Sequence, residues 1–357
     1  MKKLKSAAAL LMAVVLALTL FAGCAAQGGE TTSSAAGETS SAGEVSSAPE
    51  SSAAPAEKTD VNLMMIKGPT GIGAVHLMEA NDNDEAANHY NVTIAESPED
   101  VVAKIANGEA DIAAVPTNVA ASLYQKTSGK VEMLAVNTLG VLYILENGDG
   151  IEEISDLKGK TIYSTGQGSN PEYILNYLLE QNGLTPGEDV TVKFLSQNEE
   201  LATVLATGEA DVALVPEPTV TTVLTKNADL RIALNVTDEW AKVDDQSRLM
   251  MGCVVARKDF IDANPEAVEA FLEEYKASIE AAVGDVDATA ALCEQYGIIP
   301  KAAVAKQAIP NCNLVYLDGA EMKESITGYF QVLFDANPKS IGGAMPDDGF
   351  YYERTAQ

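Results

Sequence analysis

Ala106-Asn107-Gly108-Glu109-Ala110-Asp111-Ile112-Ala113-Ala114-Val115-Pro116 returns, a hundred residues on and without a gap, as Ala206-Thr207-Gly208-Glu209-Ala210-Asp211-Val212-Ala213-Leu214-Val215-Pro216. Each copy reads as a helix end, a Gly stop, a short buried strand and a Pro-containing loop. Upstream the parallel continues more loosely. Residues 61–66 form an apolar strand, followed by Gly68-Pro69-Thr70-Gly71 and an apolar helix through Met78. Residues 160–164 form another, followed by Gly166-Gln167-Gly168-Ser169-Asn170-Pro171 and a helix through Leu179. Residues 92–95 and 190–195 supply the middle strands, and Ser97-Pro98-Glu99-Asp100 has the form of an N-cap with an acidic first turn. Strands alternating with helices predict an α/β fold of parallel sheets covered by helices on both faces. Two copies at this spacing mean lobe duplication, since a solenoid needs more and shorter repeats.

The link between the copies, residues 134–145, is strand-like, with Asn137, Thr138 and Gly140 interrupting its apolar run, and suits a crossover. A second crossover is expected at residues 250–256. After it, Asn264-Pro265 opens a long helix whose apolar face is Val268, Phe271, Leu272, Tyr275 and Ile279. The expected division is lobe one at 60–138 plus 252–357, and lobe two at 139–251.

The chain has 357 residues, 46% of them hydrophobic, which excludes wholesale disorder. It carries 23 basic and 52 acidic side chains, a formal charge of -29. Such a surface repels phosphate backbones, so no nucleic-acid partner is expected. Two histidines leave little room for a metal centre, and four cysteines are too few for a disulfide scaffold. Lys2, Lys3 and Lys5 precede an uncharged apolar run at residues 7–22, the arrangement of an export signal over residues 1–23. Leu20-Phe21-Ala22-Gly23-Cys24 resembles the lipobox of bacterial lipoproteins, which implies a lipidated Cys24. Residues 24–59 are then a flexible linker of Ala, Ser, Thr, Gly, Glu and Pro, whose side chains bury too little to offset the entropy of ordering.

From residue 60 onward the sequence resembles the solute-binding proteins of ABC importers, in the nitrate, sulfonate, taurine and thiamine-precursor branch. The repeated Gly-Glu-Ala-Asp motifs carry the resemblance, with Asp156-Leu157-Lys158-Gly159-Lys160-Thr161-Ile162, Val215-Pro216-Glu217-Pro218 and Val254-Val255-Ala256-Arg257-Lys258-Asp259-Phe260. The resemblance implies a type II periplasmic-binding-protein-like fold: two doubly wound lobes, joined by two crossover strands, closing on a ligand. It also implies an extracytoplasmic monomer, serving a permease and an ATPase, with no catalytic residue, cofactor or metal. Two alternatives belong to other classes. A thiamine-pyrimidine-synthase-like enzyme on the same fold would need clustered cysteines, which are absent from the sequence. A ligand sensor without transport has no distinguishing sequence feature.

In open α/β sheets, ligands bind beyond the carboxyl ends of the strands, where helix N-termini offer N–H groups. That places Thr70 and Gly71, with Lys67 beside them, on one wall, and Gly168, Ser169 and Asn170 on the other. Ser169 or Asn170 is expected to cap its helix as well. Thr117, Asn118 and Glu217 follow the prolines of the repeated strands. Glu217 reads either as a structural acceptor or as the partner of a ligand donor. Asn137 and Thr138 serve the cleft or the hinge equally well. Asp111 and Asp211 suit turns and caps, while Tyr143, Tyr163 and Tyr173 suit packing more than a pocket. His76 and Cys253 read as packed residues. Cys293 and Cys312 are within the means of an exported protein to pair, and Trp240 has no assigned place.

Overall fold

The computed structural model describes residues 58–354; the expected signal segment, Cys24 and nearly all of the linker lie outside them. Strands β1 (Asp60–Ile66), β2 (His89–Ala95), β3 (Ile112–Pro116) and β4 (Val131–Leu139) come first. Next are β5 (Leu142–Asn147), β6 (Thr161–Ser164), β7 (Thr191–Phe194), β8 (Val212–Pro216) and β9 (Leu230–Asn235), then β10 (Met250–Arg257) and β11 (Leu314–Asp318). They form two sheets, β2-β1-β3-β10-β4-β11 and β7-β6-β8-β5-β9. The repeated motif thus becomes β3 and β8, each third in a parallel trio of the same order. Each follows a nine-residue helix, Pro98–Ala106 or Asn198–Ala206, and a left-handed glycine, Gly108 (φ 76°) or Gly208 (φ 73°). Ser97 caps the first of these helices as its sequence predicts, accepting from Asp100 N at 3.3 Å.

The sheets are mixed rather than parallel. β10 runs antiparallel to β3 and β4, and β5 runs antiparallel to β8 and β9. These are the strands that follow the two crossings, so each enters its sheet against the direction of the parallel trio. The link over 134–145 is two strands, β4 in sheet one and β5 in sheet two, with the passage at Gly140-Val141. β10 pairs along its length within sheet one, so the return passage lies just before it, at residues 244–249. The helix expected through Met78 is also divided, into a single turn, Pro69–Ile72, and the helix Val75–Asp82. Gly71 and Gly73 explain the break, as poor helix formers, and Gly73 admits close approach of a neighbour: a Cβ there would stand 2.7 Å from Ile279 Cγ1.

Apolar side chains cover both faces of each sheet. One cluster lies between the outer helices of lobe one and its sheet, with Phe271, Leu272, Tyr275 and Ile279 of the helix Pro265–Gly284 at 0–2% exposure. The largest cluster is shared by the lobes, joining Val115 and Val136 to Ile174 and Trp240 through Tyr329 and Phe330. Tyr329 and Phe330 belong to the helix Gly319–Ala336, which leaves lobe-one strand β11 and packs on lobe two. Trp240, in the helix Val236–Val243, is placed by this contact. Its ring lies 4.7 Å from Tyr177 and 5.8 Å, edge-on, from Tyr329, and its Nε1 donates to Ser247 Oγ at 3.1 Å.

Candidate ligand-binding site between the lobes

The loops beyond β1, β3, β6 and β8 carry the candidate residues. On the lobe-one wall, Thr70 is half-buried in its one-turn helix. A turn of four residues has few aligned peptides, so its N-terminus holds little of the dipole expected of a longer helix. Gly71 is fitted to this turn, since a Cβ there would meet the Ile66 carbonyl oxygen at 2.1 Å. Asn137 Nδ2 donates to Thr70 O at 3.1 Å and to Tyr275 Oη at 2.7 Å, while Thr138 Oγ1 donates to Asn137 Oδ1 at 2.9 Å. Asn137 is 1% exposed, so its amide holds Thr70 in place from beneath. Gly252 in β10 completes this cluster. A Cβ there would lie 2.6 Å from Asn137 Oδ1 and 2.7 Å from Thr70 Oγ1. Thr117 is fully buried and donates to Met250 O at 2.5 Å; Asn118 is buried beside it. Lys67 is exposed and paired with Glu96 at 2.6 Å.

On the lobe-two wall, Gly168 is exposed, Ser169 half-buried and Asn170 buried at 4% exposure. Ser169 is the N-cap residue of the helix Asn170–Gln181, yet its side chain makes no capping bond: its Oγ donates to Gly166 O at 2.7 Å. A tight loop whose carbonyl lies within reach of the hydroxyl outcompetes the cap here. Glu172 sits in the first turn and accepts from Gly168 N at 2.5 Å, and Tyr173 Oη donates to Gly168 O at 3.1 Å. Asn337 Nδ2, from lobe one, donates to Tyr173 Oη at 3.2 Å.

Glu217 is 2% exposed. Its carboxylate accepts from Thr221 N at 3.2 Å, Thr221 Oγ1 at 3.1 Å and, across the lobes, Asn311 Nδ2 at 3.4 Å. Tyr143 is buried as packing predicts, and its Oη reaches Asn311 O at 3.0 Å. Burial pushes the Glu217 carboxyl above its ordinary value, against the opposing pull of those three donors. A group whose pKa is raised on folding supports the fold below the ordinary carboxylate range and loses that support as pH rises through the raised value. Thermal melts of wild type and Glu217→Gln are therefore expected to diverge across that window, the wild type falling relative to the variant. A difference independent of pH would contradict it.

The remaining candidates fall outside this group. Asp111 is buried, accepting from Asn62 and pairing with Arg257 at 2.8 Å; Asp211 is exposed. Tyr163 is half-buried under the Lys193 ammonium, 5.0 Å from its ring centre. His76 contacts Thr289 Oγ1 at 2.8 Å, and burial lowers its pKa. Cys253, Cys293 and Cys312 are buried free thiols. Two open cavities of about 570 and 530 Å³ lie at the opposite ends of the strands, one beside Asn62, Lys104 and Glu109, the other beside Lys160, Lys193 and Asp211. Among the described residues, no group of three or more His, Cys, Asp or Glu is placed to hold a metal ion. No described helix is long and apolar enough to cross a membrane. Gly252 and Asn311 are not marked by sequence reasoning, and Tyr275 is read there only as part of a helix's apolar face. The first had a signal, a glycine inside an apolar strand, which denotes close approach.

Comparison with known proteins bears on the fold and the family. Residues 76–304 match the family described as ABC transporter, phosphonate, periplasmic substrate-binding protein. No curated protein matches the sequence. Among solved structures, an ABC transporter protein from Parabacteroides distasonis is similar at a TM-score of 0.70 and 24% identity, over 84% of this chain and 100% of that one. The periplasmic aliphatic sulphonate binding protein SsuA from Escherichia coli gives 0.67 and 15%, over 84% and 94%. The periplasmic nitrate-binding protein NrtA from Synechocystis PCC 6803 gives 0.52 and 13%, over 74% and 75%. At these identities the solved structures establish the fold. The family match covers most of the chain, and with it the chain belongs to the phosphonate-type periplasmic substrate-binding proteins of ABC transporters, the substrate-binding components of import systems.

Proposed function

We propose that this chain is a lipid-anchored, extracytoplasmic, monomeric receptor. In this reading it captures a small organic molecule between lobes at 60–138 plus 252–357 and at 139–251, and delivers it to a permease driven by an ATPase. The observation that carries the reading is the matched placement of strand-end loops. The same strand order is built twice, which supports a cleft with Thr70, Gly71, Thr117 and Asn118 as one wall and Gly168, Ser169, Asn170 and Glu217 as the other. A ligand that touches both walls binds the closed arrangement better than the open one, and that difference is what drives closure. Lys67 is paired with Glu96, and Glu217 adds a carboxylate. The cleft therefore suits a ligand with both an acceptor end and a donor end better than nitrate.

Ligand binding to the folded state raises stability by about 2.7 kcal/mol at a hundredfold excess over Kd. A thermal-shift screen of the full chain against small metabolites is thus expected to find a stabilising compound; a screen without one would count against the receptor. For the anchor, Cys24→Ser is expected to move the protein from the membrane fraction to the soluble one, with its melting temperature unchanged. Retention of the variant at the membrane as firmly as wild type would exclude lipidation at Cys24.

A further inference from the structure

Asn311 and Asn337 of lobe one both reach across to lobe two, and they differ in where they stand. Asn311 donates to Glu217 and accepts from Tyr143. Glu217 N in turn donates to Val141 O in the first passage, at 3.0 Å, so this set of bonds lies at the crossing and turns with it. Asn337 instead meets Tyr173, in the helix Asn170–Gln181 that follows β6. In its sheet β6 is separated from the crossing strand β5 by β8, so this contact stands clear of the passage.

Both partners are held from behind. Tyr173 Oη donates to Gly168 O at 3.1 Å, which commits its one proton and leaves its oxygen to accept from Asn337 Nδ2 at 3.2 Å. Asn337 Oδ1 caps the turn Pro338–Ile341, accepting from Lys339 N at 3.1 Å, and the amide nitrogen is left to donate. That turn is fixed in lobe one. Ser340 and Ile341 are buried, and at Gly342, which follows, a Cβ would stand 2.9 Å from Ser122 and Gln125 of the helix Thr117–Thr127. A chain of contacts thus runs from the Gly168 loop through Tyr173 and Asn337 to the helix that begins at Thr117.

One helical turn farther from the Gly168 loop, Tyr177 lies against Trp240, whose ring meets Tyr329 of lobe one. Apolar packing is non-directional and tolerates a small rotation, so this contact can serve as a pivot. A rotation of roughly 20° about a point about 6 Å away, the spacing of neighbouring helical turns, moves Tyr173 Oη by about 2 Å, enough to break a directional hydrogen bond. We propose that Tyr173 is a positioning residue whose hydroxyl fastens the Gly168 loop to Asn337, and that this bond latches the lobes against rotation. The latch presupposes the two lobes of the receptor reading but not its ligand.

The test measures the distance between spin labels at Glu99→Cys and Glu199→Cys in the full chain carrying Cys24→Ser, without ligand. Both positions are exposed, in the first turns of the helices that follow the edge strands β2 and β7, and the native thiols Cys253, Cys293 and Cys312 are buried. Pulsed electron double resonance is expected to show a shorter distance for the latched lobes and a longer one for the rotated lobes. Tyr173→Phe should lower the ratio of shorter to longer by roughly fivefold, the worth of one neutral hydrogen bond. Asn337→Ser, which keeps an oxygen to cap Lys339 N, should lower it comparably, and the double variant should go no further than Tyr173→Phe alone. Tyr163→Phe is the control: its hydroxyl accepts from Lys193 within lobe two, and its loss should leave the ratio unchanged. Distances unmoved by both Tyr173→Phe and Asn337→Ser, a further fall in the double variant, or an equal fall in Tyr163→Phe would each overturn the latch. Since no ligand enters the measurement, its outcome is independent of whether the metabolite screen upholds the receptor.

Discussion

Replacing Trp240 by alanine should cost ~3–5 kcal/mol of folding stability, the range for emptying a buried aromatic site. The indole is 1% exposed and lies between Tyr177 of lobe two and Tyr329 of the lobe-one helix Gly319–Ala336. Removing it opens a cavity in the cluster that the lobes share, and takes the Nε1 donor from the Ser247 hydroxyl, which keeps its own bond to Asp244. Scanning calorimetry should record a fall in melting temperature on the order of 10 °C, from ~2–4 °C per kcal/mol for domains of this size. The transition should also broaden as the lobes lose their common packing. A fall of less than about 1 kcal/mol, below the range for such a truncation, would mean that the helix Gly319–Ala336 is not a structural bond between the lobes.

Gly252→Ala should act on the site more than on the fold. The added methyl meets Asn137 Oδ1, Thr70 Oγ1 and, at 2.9 Å, Thr138 Cβ, all within distances that real Cβ contacts do not show. Overpacking of this kind costs ~1–3 kcal/mol. The atoms that must move are Thr70 Oγ1 and the Asn137 amide that holds the Thr70 carbonyl, so under the proposed function affinity for the ligand is expected to fall at least tenfold, or by about 1.4 kcal/mol. Gly284→Ala is the control: nothing lies within 4 Å of a Cβ there, at the last residue of the helix Pro265–Gly284. Relief of unfolded-chain entropy should make it neutral or stabilising, by up to ~1 kcal/mol. Equal affinities for the two variants would show that Thr70 makes no part of the site.

The repeat of Gly108-Glu109-Ala110-Asp111 at Gly208-Glu209-Ala210-Asp211 was enough to read two similar α/β lobes, because a buried strand after a helix stop is a local pattern. The antiparallel strands β5 and β10 were not legible: strand direction depends on where the chain crosses, which no short segment encodes. The capping role read for Ser169 depended on a competition with the Gly166 carbonyl, decided by the loop's closure. Trp240 and Asn311 find their partners about 90 residues away, in Tyr329 and Glu217, so their roles emerge only with the lobes assembled. Asn137 was open between cleft and hinge. Its burial and its bonds to Thr70 and Tyr275 make it a support for the wall.

Whether a small molecule is held between the lobes is decided by amide hydrogen exchange with and without a saturating ligand from the thermal-shift screen. Protection should rise together at residues 70–71 and 117–118 of lobe one and at 168–170 and 219–221 of lobe two, on the loops and helix starts beyond β1, β3, β6 and β8. Protection confined to one lobe, or centred on Asn62 and Tyr90 or on Lys160 and Lys193 at the opposite ends of the strands, would place the ligand elsewhere and contradict binding between the lobes.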